Sequence, residues 1–216
     1  MLNIFHSGGP VMYPLLACSI IALTVIIERA IFWSALSRRS DRQLLNDVMD
    51  RCESGDWEAV RNITANSKDP IVKILISGIL HRNYSMIKAM EASAADEIKK
   101  MRRFMNVLDT MITVAPLLGI FGTVIGIIQS FDVLGTAGIE HPEFVTAGIA
   151  QALITTAAGL GIAILSVFPY NYFNSLVEDA AINIEKYATS LEIVYEKLAL
   201  KAQRLKPRKN ENTYSG

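Results

Sequence analysis

The chain has 216 residues, of which 51% are hydrophobic and 19% charged, with a mean hydropathy of +0.30. A soluble domain carries roughly 25% charged residues, so the deficit points to a membrane protein. The 21 Lys+Arg balance 21 Asp+Glu, which leaves no basic excess of the kind that grips nucleic acid. Cys18 sits in an apolar run and Cys52 in a polar one, giving neither a disulfide framework nor metal-ligand spacing. No nucleotide loop, metal cluster or nucleophile–base pair suggests an enzyme or a bound cofactor.

A helix that spans a bilayer needs about 20 mostly apolar residues. The first such run goes from Pro10 to Ile27 and closes on Glu28-Arg29, with Trp33 just beyond. It lacks the basic start and small-residue cleavage site of a signal peptide, so it reads as a span. After it, Leu44, Leu45, Val48 and Met49 fall at helical spacing, as do Ile71, Ile74, Leu75 and Ile79, and then Ala89, Ser93, Asp96, Glu97 and Lys100. Ser54-Gly55-Asp56 and Ser67-Lys68-Asp69-Pro70 read as breaks between these helices. The second apolar run covers Thr110 to Phe131 and the third Phe144 to Phe173, neither holding a charge. Pro116 and Pro169 lie inside them and predict bends. The second and third spans are expected to continue inward as long rods, and the polar stretch after Lys206 reads as disordered.

Lys and Arg set the orientation. None occurs before Arg29 or between Asp132 and Glu143; all 21 lie from Arg29 to Arg103 or from Lys186 to Lys209. Positive residues mark the cytoplasmic side. The expected architecture is therefore an all-α integral membrane protein with three transmembrane helices. Residues 1–33 hold an outside N-terminus and the first span, 34–104 a cytoplasmic helical region, and 105–134 the second span. Residues 135–143 form a short outer loop, 144–173 the third span, and 174–216 a cytoplasmic helix and polar tail. The short basic stretch Lys206, Arg208 and Lys209 suits solvent or lipid headgroups and needs no nucleic-acid partner.

The last two spans are rich in small residues, which let helices pack closely where lipid offers little drive for association. Gly119, Gly122 and Gly126 lie on the second span, and Gly148, Ala152, Thr155 and Gly159 share one face of the third. Thr113 and Thr123 are polar positions in the second span, and Gln151, Thr155 and Thr156 in the third. A threonine can satisfy itself on its own helix, whereas a glutamine amide away from water needs other partners. No acid or base lies in the middle of a span. A proton relay usually needs one, so a titrating group would have to come from another protein. His6, His81 and His141 fall outside the apolar runs.

Two stretches carry a resemblance. Ala115-Pro116-Leu117-Leu118-Gly119-Ile120-Phe121-Gly122-Thr123-Val124-Ile125-Gly126 resembles the second-span signature of the MotA/TolQ/ExbB proton-channel family. Gly148-Ile149-Ala150-Gln151-Ala152-Leu153-Ile154-Thr155-Thr156-Ala157-Ala158-Gly159-Leu160, followed by Pro169-Tyr170-Asn171-Tyr172-Phe173, resembles its third. The ExbB branch is most similar, TolQ next, and the four-span flagellar branch less so. The resemblance implies a subunit of a ring, usually a pentamer, around the membrane helices of an ExbD/TolR-like single-span partner whose Asp carries the proton. Proton-motive force would then drive a TonB-like or Tol-Pal-like protein; TolQ-like envelope maintenance and a non-conducting scaffold are the alternatives. It also implies the bacterial inner membrane, with a periplasmic N-terminus and a cytoplasmic C-terminus. By position, Thr123 and Thr156 would line the pore, with Thr155 and Gln151 as further lining candidates. Gly119, Gly122, Gly126, Gly148, Ala152 and Gly159 would pack the helices. Many relatives have Glu where this chain has Gln151, an amide that keeps hydrogen bonding but cannot titrate.

Overall fold

The computed structural model describes residues 8–39, 41–65, 67–137 and 142–205, without the side chains of 136, 137, 142–145, 202 and 205. The expected polar tail, His6 and His141 lie outside the described residues. The fold is all-helical: α1 (Met12–Ser37), α2 (Arg42–Ser54), α3 (Trp57–Thr64), α4 (Pro70–Leu80), α5 (Met86–Met101), α6 (Met105–Ala137) and α7 (Pro142–Leu205). No strand occurs among the described residues. Three helices, α1, α6 and α7, are long and apolar enough to cross a membrane. The described residues divide into two compact units, one within 8–33 and 102–176 and one within 34–101 and 177–205.

In the first unit α1 is mostly apolar on all sides as far as Ile27, as suits a membrane helix. Met12, Leu15, Cys18, Ala22, Val25 and Arg29 form its buried stripe, while Leu16, Ile20, Leu23, Ile27 and Ile31 are equally apolar and exposed. At the N-terminal end of α1, Val11, Met12 and Leu15 pack on Ala115 of α6 with Leu118, Ile125, Ala158 and Ile162 around them. Further along, Ala22 and Val25 pack on Leu108 with Met111 and Tyr170 nearby. The register makes α1 antiparallel to α6 and parallel to α7. A tight turn starts α1: Gly9 has φ +68°, and its carbonyl accepts from Met12 N at 3.1 Å.

α7 is one unbroken helix of 64 residues, about 96 Å at 1.5 Å per residue, and it continues through Pro169, as α6 continues through Pro116. The third span thus extends as a rod. The second does not: α5 stops at Met101, a turn covers Arg102–Phe104, and α6 starts at Met105. Phe104 has φ 63°, and it alone among the described non-glycine residues has a positive φ. That left-handed conformation costs an L-residue about 1–2 kcal/mol.

The second unit is a helical cluster built on caps. Asp41 accepts from Gln43 N and Leu44 N to start α2, and Asp56 accepts from Ala59 N in α3. Asp69 accepts from Ile71 N at 2.8 Å to start α4, with Pro70 in the first turn, and its other oxygen takes Asp41 N at 3.2 Å. Gly55 closes α2 at φ 76°, a value that suits glycine. Leu45, Val48, Cys52, Val60, Leu75 and Ile79 form the core, with Ile184, Leu191 and Val194 of α7. Tyr195 donates to the Arg82 carbonyl at 2.9 Å, and Arg82 lies over the Trp57 ring at 5.5 Å. The two sequence breaks at 54–56 and 67–70 are therefore real helix boundaries, and His81 sits exposed at the end of α4.

Candidate functional site

The packing of α6 against α7 follows from missing side chains. Ala115, Gly119, Gly122, Gly126 and Ser130 recur every three or four residues on α6 and are all buried. A β-carbon added at Gly119 would lie 3.0 Å from the Thr155 carbonyl, and one at Gly122 would lie 2.7 Å from Thr155 Cβ. At Gly126 it would come within 3.0 Å of both Ala152 Cβ and the Gly148 carbonyl. From the other side, a β-carbon at Gly148 would strike Ser130 Oγ, and one at Gly159 the Ala115 carbonyl. All six positions expected to pack helices thus lie on this one seam, where backbone meets backbone. Ser130 and Ala115 belong to it too; neither reads as a packing residue in the sequence, because one serine or alanine in a span is unremarkable until its facing residue is known. The Ser130 hydroxyl donates to the Gly126 carbonyl at 2.8 Å.

The close approach brings hydroxyls together. Thr123 Oγ1 of α6 and Thr156 Oγ1 of α7 are directly hydrogen-bonded. Thr156 also reaches the Gly119 carbonyl at 3.1 Å, and Thr123 reaches the Gly119 and Ala152 carbonyls at 3.2 Å each. Two hydroxyls have only two protons for these acceptors, so the protons can be shared out in several ways by rotation about the C–O bonds. Such a pair can accept from a neutral acid or water in one arrangement and donate to an anion in another. Both threonines remain partly exposed.

Thr155 differs. It is 1% exposed, and its hydroxyl donates to the Ala152 carbonyl at 2.8 Å, with Gly119 O at 3.4 Å. Within this chain it belongs to the packed seam rather than to an open surface. Gln151 is placed on another side of α7, about 140° round from Thr156 at 100° per residue. Its amide end lies against Gly9, where a β-carbon would collide with it, and Ile154 one turn on touches the Gly8 position. The α1-facing stripe of α7 therefore reads Gln151, Ile154, Ala158, Ile162. The expected grouping of Gln151 with the pore threonines does not form within the chain. Periodicity had no means of showing this, since it says which residues share a face and not what the face meets. Cys18 and Cys52 are free and buried, and among the described residues no group of three or more His, Cys, Asp or Glu could hold a metal.

A three-span helical membrane protein with a glycine seam and a paired-threonine surface is the class these features define. The sequence pattern of the MotA/TolQ/ExbB proton channel family matches residues 66–186, and the chain belongs to that family. It is similar to an ExbB-like biopolymer transport protein (ExbB-like 3) of Synechocystis, 34% identical over 88% of this chain and 93% of the relative. It is 30% identical to the biopolymer transport protein ExbB of Neisseria meningitidis, over 79% of this chain and 86% of the relative. The Tol-Pal system protein TolQ of Haemophilus influenzae is 27% identical over 82% and 85%.

Proposed function

We propose that the chain is the ExbB-like ring subunit of an inner-membrane proton channel that couples proton-motive force to a periplasmic or outer-membrane partner. The observation that carries this is the Thr123–Thr156 hydroxyl pair, partly exposed on two helices whose apolar stretches, residues 110–131 and 144–173, hold no acid or base. A single-span partner of the ExbD/TolR kind supplies a carboxyl group on its membrane helix. When that group is neutral, the threonines accept its proton in a hydrogen bond; when it is ionised, they turn and donate to it. The pair thereby lowers the cost of a charge in the membrane without taking the proton, and one charge crossing 100 mV yields about 2.3 kcal/mol to drive motion. The ring holds about five copies, with the N-terminus periplasmic and the positively charged segments cytoplasmic. Thr155 serves the seam, and Gln151 fastens the outer end of α1 to α7.

The test is proton flux in liposomes carrying the chain with its single-span partner. Thr156→Val keeps the shape and removes the hydroxyl. Flux should fall by about tenfold or more, equivalent to the roughly 1.4 kcal/mol or more that one lost hydrogen bond to a charged group is worth, while assembly is unchanged. Normal flux in this variant would remove the pore role of Thr156. The TolQ-like reading, favoured by the Haemophilus relative, predicts the same flux but rescue of envelope integrity rather than of energy-dependent uptake in a deletion strain.

A further inference from the structure

Arg29 is 1% exposed although it lies in α1 just past the end of the apolar run. A guanidinium does not give up its proton in a protein, so its charge must be met where it lies. Glu28 does so with two hydrogen bonds, Nε to Oε2 at 2.5 Å and Nη2 to Oε1 at 2.7 Å. The neutralised guanidinium then lies over the Phe32 ring at 4.4 Å and faces the Phe104 ring at 6.0 Å. Arg103 covers the same Phe104 ring at 4.5 Å. An Arg whose charge is paired, whose guanidinium lies over one ring and which stands within cation–π reach of a second, is placed to favour one position of that second ring.

Phe104 is the residue in the left-handed conformation, φ 63°. Glycine takes up that region freely and a bulky aromatic does not, so the conformation persists only where the surroundings enforce it. The turn has a purpose in the chain's layout: the Phe104 carbonyl accepts from both Val107 N at 3.1 Å and Leu108 N at 3.3 Å, and so begins α6. Leu108 in turn packs on Ala22 and Val25 of α1, one to two turns before Arg29. The contacts run from α1 through Arg29 to Phe104 and back to α1 through Leu108.

We propose that Arg29 is a positioning residue: its Glu28-neutralised guanidinium holds Phe104 in the left-handed turn from which the second membrane helix starts. The role is independent of ion conduction and of any partner, so its test is separate from that of the channel reading.

Amide hydrogen exchange of the full chain in detergent micelles or nanodiscs measures it at Val107 and Leu108, whose hydrogen bonds both end on Phe104. The double substitution Glu28→Gln with Arg29→Met removes both charges and leaves no unpaired carboxylate. It should speed exchange at these two amides by about tenfold, since local opening sets the rate there, and leave α2 to α5 as they were. Phe104→Gly alone should stay within about twofold of the wild type, because glycine needs no support in this conformation. The decisive protein combines all three: once Phe104→Gly is in place the loss of Arg29 should no longer matter, and exchange should return to near the wild-type rate. Exchange as fast as in the Glu28→Gln, Arg29→Met protein would overturn the proposal, as would unchanged exchange in that protein. If the charge-free pair fails to accumulate, accumulation in the Phe104→Gly background decides: recovery supports the role, and continued failure rejects it.

Discussion

Two glycines of the membrane unit separate packing from mere helix composition. A β-carbon at Gly122 would sit inside the Thr155 side chain, whereas one at Gly161 meets nothing within 4 Å. Gly122→Ala should therefore force the seam apart and cost about 1–3 kcal/mol, the usual penalty of overpacking. Gly161→Ala should be neutral, or slightly stabilising because alanine is the better helix former. Thermal unfolding of the two variants in the same detergent checks this; equal losses would mean that the seam is not closely packed. In the second unit, burial pushes the Cys52 thiol up to about 11 from its ordinary 9.0. The unfolded chain ionises first as pH rises, so stability is unaffected below about pH 9 and falls between about 9 and 11. Cys52→Ala should lack that alkaline decline, and the wild-type thiol should resist alkylation at pH 8 until the protein is unfolded. Alkylation of the folded protein at the rate of a free thiol would contradict the burial of Cys52.

Among the elements, the cluster of short helices depends on its caps, and Asp69 carries one and is bonded to another. It is 1% exposed, starts α4 through Ile71 N and Val72 N, and takes the amide of Asp41, itself the cap of α2. Asp69→Ala should cost about 1–2 kcal/mol for the cap and more for the orphaned Asp41 amide, seen as an earlier melt of the second unit; an unchanged melt would show the link between the caps to be idle. These boundaries could be read from sequence because Asp, Gly and Pro act on their own backbone. The three apolar runs were legible for the same kind of reason, since a bilayer demands length and apolarity locally. The turn at Arg102–Phe104 was not. The stretch from Met101 to Asn106 contains no glycine or proline, and phenylalanine is a poor left-handed residue. The break there comes from tertiary contacts, including the Arg29 side chain, which belongs to a helix far earlier in the chain.

At the scale of the whole molecule, the small residues of the last two spans raised the expectation of close packing, and the fold places them along the α6–α7 seam. What the sequence left open was how the polar residues divide. Thr155 and Thr156 are adjacent, yet one is enclosed in the seam and the other is partly exposed beside Thr123. Gln151, read as a further lining residue, lies instead against the turn at Gly9. The Thr123–Thr156 pair stays partly exposed beside the seam, and in the proposed function that is the surface turned toward a helix from outside.

That arrangement is tested most directly by where position 156 points in the assembled particle. With Thr156→Cys in the chain and single cysteines along the membrane helix of the co-expressed single-span partner, oxidation should give a disulfide near the partner's acidic residue. A lipid-soluble thiol reagent should label the introduced thiol poorly in rings that retain about five copies by native mass spectrometry. Ready labelling from the lipid, with no cross-link to the partner at any position, would place the hydroxyl pair on the outside of the ring and contradict the account.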